Sequence, residues 1–204
     1  GEMYVDIYSP EGTFLKKLPA GNRKGINIVR IATSMNPPKV PKSPNILGDA
    51  AFGPDYPAGK YAIKLVKGAE TYTTELILND SPDWKHSEAD RKLQRETLMR
   101  AYNLLEELAS VDQKILDTRD TLKSNEATAK GSGLKKIKTL ISACDDMHEK
   151  ISATQAGEGG ITGQVRLREN IAEIYGAVAG YPGKPTTLQI KALENYAIQV
   201  RDFG

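Results

Sequence analysis

The sequence predicts an α+β protein in two segregated parts, a small antiparallel β-sandwich followed by an up-down bundle of four helices. Two observations carry this. Eight of the eleven prolines, from Pro10 to Pro57, precede residue 81, in a stretch of short alternating apolar patterns. Beyond it, Leu, Ala, Glu and Lys recur at helical spacing. The boundary falls at Asn79-Asp80-Ser81-Pro82, giving a β part over 1–80 and a helical part over 81–204.

In the β part, Met3, Val5 and Ile7 share one face of a first strand. Pro10-Glu11-Gly12 is a turn signal, and Thr13 to Leu18 completes a hairpin. Ile26, Ile28 and the run through Ile31 predict a third strand. Tyr61, Ile63 and Leu65 alternate against Ala62, Lys64 and Val66 in a fourth. Lys67-Gly68-Ala69-Glu70 is a tight connection to the last strand, carrying Tyr72, Thr74, Leu76 and Leu78. Short strands at regular turn spacing read as a sandwich of Ig-like size. About 80 residues make a small core, which docking onto a neighbour would help to stabilise. Ser34 to Gly59, with Pro37, Pro38, Pro41, Pro44, Pro54 and Pro57, is a long loop. Loops of that length are functional or lack fixed structure, so this one reads either as a proline-stiffened surface excursion or as a contact surface for another domain or a ligand.

In the helical part, Ser87 stands as a hydroxyl N-cap with Asp90 three residues on. A helix then runs to about Lys123, with Leu98, Ala101, Leu105, Leu108, Ile115 and Leu122 on one face. Some 36 residues span roughly 54 Å, too long to be stable without partners. Gly131-Ser132-Gly133 interrupts the pattern. Leu134, Ile137, Ile141, Cys144, His148 and Ile151 make a second stripe, and Ala156 to Gly160 reads as a flexible connection. Leu167, Ile171, Ile174 and Val178 form a third stripe, which Gly180-Tyr181-Pro182-Gly183-Lys184-Pro185 ends. Thr186 with Gln189 is a capping box before the last stripe of Ile190, Leu193, Ala197 and Val200.

Few residues suggest chemistry. A net charge of +2, with Lys135, Lys136 and Lys138 followed by Asp145 and Asp146, argues against a nucleic-acid partner. No apolar run approaches the roughly 20 residues of a membrane span, so no membrane insertion is expected. The single cysteine, Cys144, has no internal disulfide partner and reads as a small core residue. His148 lies on an apolar stripe and reads as a structural histidine; His86 flanks the first helix cap. Asp145, Asp146, His148 and Glu149 read as a hydrated face and Gly157 to Gly163 as a linker, so no metal, cofactor or phosphate site is expected. Glu106, Glu107, Asp117 and Asp120 are carboxylates available on the first helix for a glycosidase-like role, but their pattern singles out no pair. Tyr56, Tyr61 or Trp84 would serve a carbohydrate-binding module if clustered at the surface, while Trp84 reads first as a staple between the two parts. No catalytic residue is assigned and binding residues stay open.

The stretch Val5-Asp6-Ile7-Tyr8-Ser9-Pro10-Glu11-Gly12, then Leu15-Lys16-Lys17-Leu18, Lys24 to Arg30, and Gly53-Pro54-Asp55-Tyr56-Pro57-Ala58-Gly59-Lys60-Tyr61 resembles the Ig-like domain of the flagellar hook-capping type. It is still more similar to the C-terminal region of bacterial sortilin-like (VPS10-type, BNR-repeat) β-propeller proteins, often labelled glycosyl hydrolases or exo-sialidases. Gly180 to Thr186 and Gln189 resemble the loop before that family's last helix. Two departures stand out. Arg30-Ile31-Ala32-Thr33 replaces a Trp-Asp-like pair at the third strand, and no Asp-box occurs. The resemblance implies a non-catalytic accessory or docking region whose partner is the upstream β-propeller of the same parent chain. It also implies a periplasmic or secreted location and leaves any hydrolase activity to the propeller. The opening of the chain inside a strand pattern reads the same way, as a piece of a longer protein. A carbohydrate-binding module and a glycosidase fragment contributing to its parent's active site are the alternatives.

Overall fold

Backbone pleating turns the alternation of the β part into strands. The computed structural model describes residues 3–44, 50–82, 85–154 and 165–203. Among these, β1 (Met3–Tyr8), β2 (Phe14–Pro19), β3 (Gly59–Lys67) and β4 (Glu70–Leu78) form a single antiparallel sheet in the order β2-β1-β3-β4. Gly12 closes the first hairpin at φ +83°. Gly68, at φ +60°, begins the two-residue loop between β3 and β4, a conformation that carries a Cβ penalty in other residues. The register places Val5 opposite Leu18 and Leu65, and Ile7 opposite Ile63. Val5, Ile7 and Ile63 are the buried centre of this face, with Leu15, Leu18, Val29, Ile31, Leu65 and Leu76 around them.

The expected strand over Ile26–Ile31 does not form a ladder. The segment keeps strand-like alternation, with Val29 and Ile31 half-buried on the core and Ile26, Ile28 and Arg30 exposed. It is anchored through side chains on the face of the sheet and not through backbone pairing at an edge. A second hydrogen-bonded sheet is therefore absent among the described residues. The nearest approach to one is the isolated bridge between Ser34 and Asp55, where Tyr56 N donates to the Thr33 carbonyl at 2.8 Å.

The helical elements are α1 (Glu88–Glu126), α2 (Gly131–Ile151), α3 (Leu167–Ala179) and α4 (Thr187–Phe203). Ser87 caps α1, its Oγ accepting from Asp90 N at 3.1 Å. Thr186 and Gln189 form the reciprocal pair at α4: Thr186 N donates to Gln189 Oε1 at 2.8 Å, and Gln189 N to Thr186 Oγ1 at 3.2 Å. α1 touches all three other helices. Leu98, Ala101, Leu105, Leu108 and Ile115 of α1 are buried against Ile151, Leu167, Ile171, Val178, Leu193 and Val200.

The chain divides into two compact units, Gly1–Met35 with Asp55–Lys85, and Asn36–Pro54 with His86–Gly204. Most of the long proline-rich loop thus belongs with the helices and is no free excursion. Pro38, Pro41 and Pro54 are buried, and Val40 and Ala50 pack against the helical core. Proline suits such a course, because it brings no N–H that burial would leave unsatisfied.

Leu108→Ala should lower stability by about 2–5 kcal/mol in urea unfolding, because it empties a fully enclosed position of the α1 seam. The helical circular-dichroism signal in water should persist.

Candidate functional site

Asp145, Asp146, His148 and Glu149, near the end of α2, do not form one hydrated face. They diverge to separate partners. Asp145 meets Arg119 at 3.4 Å, Glu149 meets Arg166 at 3.1 Å, and His148 Nδ1 lies 2.7 Å from Asp112 Oδ1, while Asp146 is exposed. No group of three or more His, Cys, Asp or Glu suited to a metal ion exists among the described residues.

The Asp112–His148 pair joins α1 to α2. Asp112 is 2% exposed. It occupies the next position of the stripe that carries Ala101, Leu105 and Leu108, so the heptad pattern itself drives the carboxylate into the seam. A buried carboxylate on imidazole Nδ1 is the geometry that orients a general base. Here, however, the nearby Ser152 hydroxyl is buried and donates to the Lys42 carbonyl at 3.2 Å. The pair acts as a polar cross-link. The sequence reading identified His148 but missed Asp112. The signal was a charged residue interrupting one apolar stripe while a histidine interrupted the other.

A second set of polar contacts binds the 36–54 segment. Lys39 N donates to Glu106 Oε1 at 2.6 Å, Ser43 Oγ to the Ala153 carbonyl at 2.7 Å, and Tyr175 OH to the Phe52 carbonyl at 2.5 Å. Glu106, one of the available carboxylates, is thereby occupied. Asp117 accepts from Gln113 and Asp120 pairs with Arg119, so these acids are not brought together. Arg168 and Glu169, missed in sequence, are a buried pair at 2.7 Å at the start of α3, where Glu169 also accepts from Arg166 N at 3.0 Å. Cys144 is half-buried on the α2 stripe, and the His86 ring stands edge-on to Tyr181 at 5.2 Å. Of the basic cluster, Lys135 and Lys136 are exposed and Lys138 pairs with Glu126 at 3.8 Å.

In the β unit, Tyr61 is 2% exposed and its hydroxyl donates to the Pro57 carbonyl at 2.7 Å. Its ring is therefore closed to a sugar face. Tyr56 is half-buried and leans on it at 5.8 Å. Trp84, the Ala156–Gly160 connection and Gly157–Gly163 lie outside the described residues. A shallow apolar crevice is lined by Ile7, Ile31, Thr33, Tyr56, Leu76 and Leu78. On the opposite face of the sheet, Asp6 lies across from Lys17 and Lys64, whose ammonium groups sit 3.8 Å over Tyr4 and 4.4 Å over Tyr8. Phe14, Ile26, Ile28, Tyr72 and Ile77 are large apolar side chains left exposed in this unit.

Two outcomes follow from the helical contacts. Asp112→Ala should cost about 3 kcal/mol by leaving the imidazole without its partner. In a double-mutant cycle with His148→Ala the two losses should fall short of additivity by about 1 kcal/mol or more. The Tyr175 phenol is pushed up to about 12 by burial, with Tyr102 adding to the effect. A phenol raised in the folded state contributes stability that is complete below its ordinary value of 10.0 and is lost as pH climbs toward 12. Alkaline titration of phenolate absorbance should show a late step near 12 that Tyr175→Phe removes. No protein-family model matches the chain, and neither a curated protein nor a solved structure matches it.

Proposed function

We propose that this chain is a non-catalytic accessory region that docks onto the upstream β-propeller of a larger, periplasmic or secreted protein of the sortilin-like, BNR-repeat type. The observation that carries the reading is the apolar surface that the β unit leaves exposed, while the candidate polar side chains of the helical unit are spent internally. In the helical unit, the candidate side chains His148, Asp112, Glu106, Arg168 and Glu169 are engaged in internal contacts. In the β unit, Ile26 and Ile28 stand 94% and 82% exposed, alongside Phe14, Tyr72 and Ile77. Ile26 and Ile28 stand together on the outward side of one segment, and contiguous exposed apolar side chains mark surfaces that another macromolecule covers. Of the residues resembling the family, those from Val5 to Gly12 and from Asp55 to Tyr61 lie in that same unit.

In this reading the β unit is an Ig-like domain whose second layer is begun by residues 26–34 against 55–56, and the helices run as an up-down bundle. Docking is favoured over carbohydrate binding because Tyr61, a proposed stacking platform, is buried.

Calorimetric titration against the separately expressed upstream region should give saturable binding with a Kd of about 10 μM or tighter. Absence of heat and of saturation at higher concentration would sink the docking reading. Turnover of a glycoside panel by this chain alone, lost on replacing one carboxylate, would overturn its non-catalytic character.

A further inference from the structure

We infer that residues 26–32 are an acceptor strand, held open to receive an extended, acidic strand from the docking partner. The inference deepens the docking reading and rests on it.

Three observations carry it. The first is conformation without pairing. Side chains alternate along the segment, Val29 and Ile31 toward the core and Ile26, Ile28 and Arg30 outward. Yet among the described residues no backbone N–H or C=O of 26–32 enters a ladder, and pairing begins only at Thr33. An extended segment with unpaired backbone groups is a template for another strand.

The second is preorganisation. The Asn27 side chain accepts from Arg23 N at 3.2 Å and donates to the carbonyls of Arg23 at 3.0 Å and Gly25 at 3.2 Å. Gly25 adopts φ +104°, and a Cβ on Gly21 would collide with the Asn27 amide. This turn fixes one end of the segment, and Val29 and Ile31 fix its inward face. Little ordering cost is left for binding to meet.

The third is charge. From Gly12 to Met35, within the β unit, the chain has five Lys and Arg residues and no Asp or Glu. Arg23, Lys24 and Arg30, all exposed, flank or lie on the acceptor segment. Cationic edges repel one another, which disfavours a second copy of this chain, and they attract a strand that mixes carboxylates with apolar side chains facing Ile26 and Ile28.

The test uses the full chain and a short synthetic peptide alternating Val with Glu. Its controls are the same peptide with Lys for Glu, and with every second backbone nitrogen methylated in either register. The Glu peptide should bind saturably and slow hydrogen exchange at amides within 26–32. The Lys peptide should not bind. Methylation in one register should abolish binding while the other register retains it. Ile28→Asp combined with Arg30→Glu, both at exposed positions, should weaken binding by about tenfold or more. No saturable binding, binding indifferent to methylation in both registers, or protection only outside 26–32 would overturn the proposal. The same double variant titrated with the upstream region separates the two readings. Equal binding by parent and variant leaves docking standing and removes the acceptor strand. No binding of the upstream region, with the Glu peptide still protecting 26–32, does the reverse.

Discussion

The length of α1 is the constraint on which the helical unit depends. At 39 residues it extends roughly 58 Å, and no helix of its composition holds that form in water without burying its apolar stripe. Ile151, Leu167, Ile171, Leu193 and Val200, from the other three helices, supply that cover. The stripe is not wholly apolar, because Asp112 falls on it. A carboxylate in such a seam costs several kcal/mol unless it is paired, so His148 must come opposite it. Leu and Ile side chains tolerate small axial slips, whereas a pair at 2.7 Å does not. The polar cross-link therefore sets the register of α2 against α1 in a way the surrounding hydrocarbon does not.

Residues 36–44 and 50–54 show how an irregular backbone is accommodated against a helical core. Prolines lower the number of donors to be satisfied, and side chains of the helical unit meet groups that remain. Glu106 takes the Lys39 N–H, Ser152 reaches the Lys42 carbonyl, and Tyr175 reaches the Phe52 carbonyl. Glu106 is one of the carboxylates that the sequence leaves available for chemistry. The common role of these side chains is to replace the ladder that a loop lacks. The raised ionisation of the Tyr175 phenol is a consequence of that burial and needs no catalytic explanation.

The β unit has a much smaller buried centre than the helical unit. Its buried centre is Val5, Ile7 and Ile63, a small apolar core, and large side chains remain exposed around it. Such a domain gains more from covering its surface than from further internal packing.

The local rules of the chain, read without coordinates, determined the helices and their caps. Ser87, Thr186 with Gln189, and the apolar stripes depend on residues within a few positions of one another, and α1 and α4 start where these signals place them, whereas α2 already begins at Gly131, inside the Gly131-Ser132-Gly133 stretch that reads as an interruption. The two hairpins were legible for the same reason, since Gly12 and Gly68 mark their turns. Ile26–Ile31 has the alternation of a strand, and its burial does alternate, but a ladder needs a neighbour and no property of the segment itself can provide one. Likewise the pairing of Asp112 with His148, of Glu106 with Lys39 and of Arg168 with Glu169 was decided by tertiary structure. The first two join residues 36 and 67 positions apart; in the third, neighbours in sequence become a pair through shared burial. Periodicity fixes which face a residue occupies, and only packing in three dimensions decides what that face meets.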